Sequence, residues 1–276
     1  MISKKLLVCI LFVVFCLILC IQTKASFREN FISGVMFCPD KEIKETPDKY
    51  GLKYENVWIE MPDMIKLYGW YVPADKPTEK NIIYLHGTKG NIALYLPGIK
   101  QLHKVGANIL IVDYEGFGKS TGSGIIQNTI NDSIAMYDYL IKTKKAKPEN
   151  ISLFGYSYGG AIAIELALQR KVHAILLEST FSSLQKIAIS QYSPIVLPFM
   201  PKDLLNTVVK IKQIKVPIII AHAEKDSVIP ISNSHELYQA ANKPKYYYLI
   251  KNADHKDIFN FIKPDYTNLI KKVLVD

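Results

Sequence analysis

The sequence predicts an α/β fold, a mostly parallel eight-stranded sheet flanked by helices, and three observations predict it. Short apolar runs of five to seven residues, such as Asn81–Leu85 and Ala107–Val112, have the look of strands buried on both faces. Between them lie longer stretches with helical spacing of apolar residues, as in Ile92–Val105. The two kinds alternate, which requires crossover connections and hence parallel strands covered on both sides.

The elements follow in order. Tyr54–Glu60 and Lys66–Val72 flank Met61-Pro62-Asp63 and form a hairpin. Next come the strand Asn81–Leu85, the helix Ile92–Val105 and the strand Ala107–Val112. Asn128–Lys144 is a helix opened by Asn and closed by lysines that suit its C-terminal dipole. The strand Ile151–Phe154, the helix Tyr158–Gln169 and the strand Val172–Leu177 follow. The last elements are the strand Val216–His222, a helix over Ser234–Ala241, the strand Tyr246–Ile250 and a helix over Ile258–Val273. In such sheets ligands bind at the carboxyl ends of the strands, so the residues just after each strand carry the chemistry.

Length and composition suit one such domain, over residues 51–276, with a small lid at about residues 180–213. Ahead of it, Lys4 and Lys5 precede an unbroken apolar run, Leu6–Ile21, within an N-terminal segment 1–23 read as a signal anchor or signal peptide. The anchor reading is preferred, because Thr23-Lys24-Ala25 is a poor cleavage site; the domain is then exported, and cleavage would leave it secreted or periplasmic. Residues 24–50, punctuated by Pro39 and Pro47, read as a tether.

The 34 Lys and Arg exceed the 25 Asp and Glu, but the lysines are scattered rather than clustered with aromatics, which excludes a nucleic-acid partner and leaves a basic surface near a membrane. Of four cysteines only Cys38 lies beyond the N-terminal apolar run, so no internal disulfide forms there, and no Cys/His spacing suggests a metal. No cofactor is implied.

The sharpest signal is Gly155-Tyr156-Ser157-Tyr158-Gly159-Gly160 between a strand and a helix. G-x-S-x-G in that setting places a serine on a turn so tight that its neighbours have no room for side chains, with the helix N-terminus aimed at a developing oxyanion. A serine nucleophile needs a base. Of six histidines, His255 is the last and follows the strand Tyr246–Ile250. His86 braces the loop after the first parallel strand, His103 and His173 look structural, and His222 and His235 fit less well. The acid should follow a strand lying between serine and histidine, and Asp226, after Val216–His222, is chosen over Glu224 and Glu178; Asp254 caps the loop instead. The oxyanion donors are the backbone N–H groups of Tyr158 and Thr88. Gly116-Phe117-Gly118-Lys119-Ser120 imitates a phosphate-binding loop, but Asp113 stands where the first glycine belongs, so it is a turn.

Taken together, Leu85–Asn91, Val112–Ser120, Gly155–Gly160, Glu178–Ser183, Glu224-Lys225-Asp226 and Ala253-Asp254-His255 resemble the α/β-hydrolase-domain serine hydrolases, most closely the membrane-associated group of lysophospholipid lipases and protein depalmitoylases. The resemblance spans about residues 54–273. It implies the α/β-hydrolase fold, Ser157, Asp226 and His255 as a catalytic triad, and an N-terminal membrane segment. This chain departs from the group in having Thr88-Lys89 for Asn-Ala, Glu115 for Arg, and Ala221-His222-Ala223 for His-Gly. The expected activity is hydrolysis of acyl esters or thioesters, with a serine exopeptidase or a non-catalytic binding module as alternatives. The apolar stretch Tyr192–Pro201 is expected to line an acyl-chain site and face the bilayer.

Overall fold

The computed structural model describes residues 29–192 and 204–276. The N-terminal apolar run and nearly all of the Tyr192–Pro201 stretch lie outside the described residues. Eight strands form one sheet: β1 (Glu55–Glu60), β2 (Lys66–Val72), β3 (Asn81–Leu85), β4 (Asn108–Val112), β5 (Ile151–Tyr156), β6 (Ile175–Glu178), β7 (Ile218–Ala223) and β8 (Lys245–Ile250). Their order is β8-β7-β6-β5-β3-β4-β2-β1. Strands β3 to β8 are mutually parallel, while at one edge β2 runs against them, pairing antiparallel with both β4 and β1.

Besides a helical stretch over residues 29–36, the described α-helices are α1 (Leu96–His103), α2 (Ile126–Lys142), α3 (Tyr158–Ala167), α4 (Leu184–Tyr192), α5 (Thr207–Lys210), α6 (Ser232–Ala240) and α7 (Pro264–Leu274). They cover both faces, and the sheet's residues divide between them by alternation. Ile83, Leu85, Ile151 and Leu153 point into a core shared with α2, α3, α4 and α6. Ile82, Tyr84 and Phe154 point into a second core with α1 and α7. Period-two alternation buried on both sides is why these strands read as continuous apolar runs. Leu85 is fully buried, so truncating it to alanine is expected to cost about 2–5 kcal/mol.

Several helix boundaries differ from the sequence reading, and three have a clear physical reason. Ile92–Val105 is not one helix: a 3-10 turn, Ile92–Tyr95, precedes α1, which begins afresh with Pro97 in its first turn. The last helix starts at Pro264 rather than Ile258, because Lys263, held extended before proline, interrupts it. Helix α2 starts at Ile126, two residues before Asn128, because its caps come from far away. Ser33 Oγ accepts the Ile126 N–H at 3.2 Å and Glu29 Oε1 accepts the Gln127 N–H at 2.6 Å.

That capping corrects the reading of residues 24–50 as a mere tether. Residues 29–36 are helical, and Ile32, Ser33 and Phe37 are buried. Phe37 meets Phe117 and Tyr158 edge-to-face at 5.6 and 5.3 Å. Cys38–Pro39 pairs in parallel with Lys89–Gly90, and Asn91 Nδ2 donates to the carbonyls of Asp40 and Glu42 at 3.1 and 2.7 Å. The described part of this segment is therefore built into the domain beside the loop after β3.

Candidate active site

Strand β5 ends at Tyr156, α3 begins at Tyr158, and Ser157 alone makes the bend, with φ 55° and ψ −119°. That conformation is strained for a residue with a Cβ. Close approach enforces it: a Cβ on Gly159 would lie 1.9 Å from the Leu85 carbonyl oxygen. One on Gly155 would lie 2.4 Å from Gly160 Cα. The Ser157 N–H donates to the Glu178 carbonyl at 2.8 Å, tying the bend to the end of β6.

The loops after β7 and β8 bring two further predicted residues to this bend. His255 Nε2 lies 3.1 Å from Ser157 Oγ, and His255 Nδ1 lies 2.8 Å from Asp226 Oδ2. With Nδ1–H donating to the carboxylate, Nε2 is left to accept the serine hydroxyl proton. The other oxygen of Asp226 accepts the N–H groups of Val228 at 2.9 Å and Ile229 at 2.7 Å. Burial alone would push the Asp226 carboxyl up, but the His255 hydrogen bond and charge, helped by the Ile229 N–H, hold it below the usual carboxylate range. It is thus ionised near neutral pH.

The rival acids lie elsewhere. Glu178 accepts the Tyr266 hydroxyl at 2.6 Å, and burial pushes its carboxyl up to about 7. Glu224 accepts the Asn252 N–H at 2.8 Å. Asp254 joins the two loops, accepting the N–H groups of Ser227 and His255, each at 2.7 Å, and the Ser227 hydroxyl at 3.0 Å. Three of the remaining histidines have other partners. His86 Nδ1 lies 2.8 Å from the Gly87 carbonyl, and His103 Nε2 lies 3.0 Å from that of Pro73. His222 is buried with Nε2 at 2.9 Å from the Ile229 carbonyl and 3.5 Å from Asp226 Oδ2, so it braces the acid's loop. The Gly116–Ser120 segment is a structural turn: Ser120 Oγ donates to the Asp113 carbonyl at 2.6 Å and accepts the Tyr68 N–H at 2.9 Å.

Ser157 and His255 open onto a cleft of about 850 Å³ that Thr88 and Tyr158 also line. Thr88 is fixed by its own carbonyl, which accepts the Cys38 N–H at 2.9 Å, and by Tyr95, whose hydroxyl donates to the Lys89 carbonyl at 2.9 Å. The Tyr158 ring is anchored by a 2.6 Å hydrogen bond between its hydroxyl and Thr129 Oγ1. Two features escaped the sequence reading. Tyr156 donates its hydroxyl to the His255 carbonyl and packs its ring 5.3 Å from the imidazole, so the elbow itself supports the base. Met36 and Cys38, from the segment read as a tether, line the cleft. Only the position of Tyr156 inside G-x-S-x-G could have signalled the first, and nothing local signals the second.

The comparisons with known proteins agree with this fold. Residues 76–210 match the family model described as serine aminopeptidase, S33. The chain is 31% identical to the uncharacterized protein R595 of Acanthamoeba polyphaga mimivirus, over 73% of this chain and 75% of that one. It is 28% identical to the uncharacterized protein YfhR of Escherichia coli K12, over 91% and 88%. Among solved structures, an esterase of Pyrococcus furiosus, Pf2001, superposes with a TM-score of 0.70 at 22% identity, covering 87% of this chain and 97% of that one. The sheet order, the strained serine between β5 and α3, and these likenesses lead to one conclusion: the chain belongs to the α/β-hydrolase family.

Proposed function

We propose that this protein is a serine hydrolase that cleaves carboxylic esters or thioesters of acyl-chain substrates through an acyl-enzyme on Ser157. The observation that carries the reading is the hydrogen-bonded row Ser157–His255–Asp226 at the floor of a largely apolar cleft. In this reading His255 takes the serine proton as Oγ attacks the substrate carbonyl, while Asp226 holds the imidazole tautomer and stabilises the imidazolium. The N–H groups of Thr88 and Tyr158 receive the oxyanion, each such donor being worth about 10²–10³ in rate. His255 then returns the proton to the departing alcohol or thiol, and water repeats the sequence to release the acid.

Two alternatives were expected, a serine exopeptidase and a binding module without catalysis. The matched model's description favours the first, but an aminopeptidase must hold its substrate's ammonium, and no Asp or Glu lines the cleft among the described residues. The aligned row, with a strained serine that a binding module has no use for, speaks against the second. In this reading the apolar N-terminal run keeps the enzyme at a membrane, with the domain exported and its cleft open to acyl chains.

A series of nitrophenyl esters from acetyl to palmitoyl, hydrolysed by the wild type and by Ser157→Ala, tests the reading. Efficiency is expected to rise from acetyl toward the longer chains and to vanish in the variant. A strong preference for acetyl would overturn the acyl-chain assignment, and turnover surviving in the variant would overturn the nucleophile.

A further inference from the structure

The two backbone donors of the proposed oxyanion hole come from separate pieces of chain. Thr88 lies in the loop after β3, and Tyr158 opens α3. Two such N–H groups receive one oxygen atom only when the pieces that carry them are held at a fixed separation. Residues 37–40, ahead of the sheet in sequence, touch both pieces.

On the Thr88 side, three successive carbonyls of the loop are held. The Cys38 N–H donates to the Thr88 carbonyl at 2.9 Å, and the Asp40 N–H donates to that of Gly90 at 2.8 Å. Between them the Tyr95 hydroxyl donates to the Lys89 carbonyl at 2.9 Å. The Asp40 carbonyl in turn accepts the Gly118 N–H at 3.0 Å and Asn91 Nδ2 at 3.1 Å, which ties the same residues to the loop after β4. On the Tyr158 side, the buried ring of Phe37 meets the Tyr158 ring edge-to-face at 5.3 Å. One residue therefore separates the contact with the first donor's loop from the contact with the second donor's ring.

We propose that residues 37–40 form a clamp that sets the spacing of the two oxyanion donors, with Phe37 and Asn91 as positioning residues for the reaction on Ser157. This rests on the serine-hydrolase reading above. Neither side chain lines the cleft, so each acts through Thr88 and Tyr158 rather than on the substrate. The donors engage a charge that develops only as the tetrahedral species forms, so a loosened clamp weakens transition-state binding and leaves ground-state binding in place. Asn91 offers a clean way to loosen it. Its Nδ2 holds the Asp40 and Glu42 carbonyls, while its Oδ1 caps the turn that follows by accepting the Ala93 N–H at 3.0 Å. A serine there keeps a capping oxygen and loses the reach to the clamp.

The test measures two inhibition constants on the full-length protein, for nonyl trifluoromethyl ketone and for decanamide. Ser157 Oγ adds to the ketone carbonyl, its proton passes to His255 and the carbonyl electron pair becomes an oxyanion in the hole; decanamide binds without reacting. Inhibition constants do not depend on the folded fraction, so lost stability alone does not move them. Phe37→Ala and Asn91→Ser are each expected to weaken the ketone by about tenfold and decanamide by less than about twofold. The kcat for nitrophenyl decanoate should fall in step with the ketone. Should Phe37→Ala fail to fold, Asn91→Ser carries the test alone. Ketone binding that is unchanged in either folded variant, or weakened no more than decanamide binding, overturns the proposal and leaves the hydrolase reading intact. A wild type that neither binds the ketone nor turns over nitrophenyl esters through Ser157 overturns both.

Discussion

Two histidine–carboxylate pairs occupy equivalent places at the carboxyl edge of this sheet, each pair following two adjacent strands. His255 and Asp226 follow β8 and β7; His86 and Asp113 follow β3 and β4. In the first pair the ring nitrogen and carboxylate oxygen are 2.8 Å apart, and the ring's other nitrogen faces Ser157. In the second the closest approach is 3.9 Å and the ring turns its Nδ1 to the Gly87 carbonyl instead. Burial pulls the His86 imidazole down to about 4 and pushes the Asp113 carboxyl up to about 8, so both are neutral near physiological pH. The same residue types thus form an ion-pair-ready relay in one place and a neutral brace in the other. The difference lies in hydrogen bonding and access: Asp226 receives two backbone N–H groups and a histidine, and Asp113 only the Ile92 N–H, at 2.8 Å.

The comparison is most easily broken at the reactive pair. Ser157→Ala or His255→Ala is expected to lower kcat by about 10⁵–10⁶ with the fold retained, checked by ester turnover alongside circular dichroism. Asp226→Asn should lower kcat by about 10⁴, because an amide favours the wrong imidazole tautomer. Retention of more than a tenth of wild-type turnover in either case would remove the distinction between the pairs. Gly159→Ala, which forces a Cβ against the Leu85 carbonyl oxygen, should destabilise the elbow by several kcal/mol, read as a fall in the denaturation midpoint.

At the neutral brace the effects should be small and of a different kind. Asp113→Asn resembles the protonated acid already present, so activity is expected to stay within a few-fold of wild type. A carboxyl raised in the folded state stabilises fully below its unfolded value, and that contribution is lost as pH rises through the folded one. Wild-type stability should therefore decline between about pH 4 and pH 8 through Asp113, and the Asn variant should show a flatter profile over that window. An unchanged slope in urea titrations across those pH values would contradict the neutral assignment. Smallest of all, Ser157→Gly should be more stable than Ser157→Ala by about 0.5–1 kcal/mol, since glycine adopts φ 55° without strain.

The residues that were legible in the sequence share one property: each directly follows a strand or sits inside a turn with demanding geometry. Ser157 was marked by its flanking glycines, and Asp226 and His255 by the ends of β7 and β8. The central strands β3 to β7 were legible because burial on both faces leaves unbroken apolar runs, and the edge hairpin β1–β2 because of its turn. What escaped depends on distant contacts. No local signal tells that Glu29 and Ser33 cap a helix more than ninety residues away, or that Met36 and Cys38 reach the cleft. Likewise the fate of Glu178, adjacent to the active edge, was decided by Tyr266, a residue in the last helix.

The central claim is that Ser157 is the residue that the His255–Asp226 pair activates. Labelling the folded protein with a fluorophosphonate, followed by mass mapping of the modified peptide, reads this directly. Adduct on Ser157 alone, lost in Ser157→Ala and strongly slowed in His255→Ala, is the predicted result. An unlabelled wild type, or label that persists in Ser157→Ala, would contradict it.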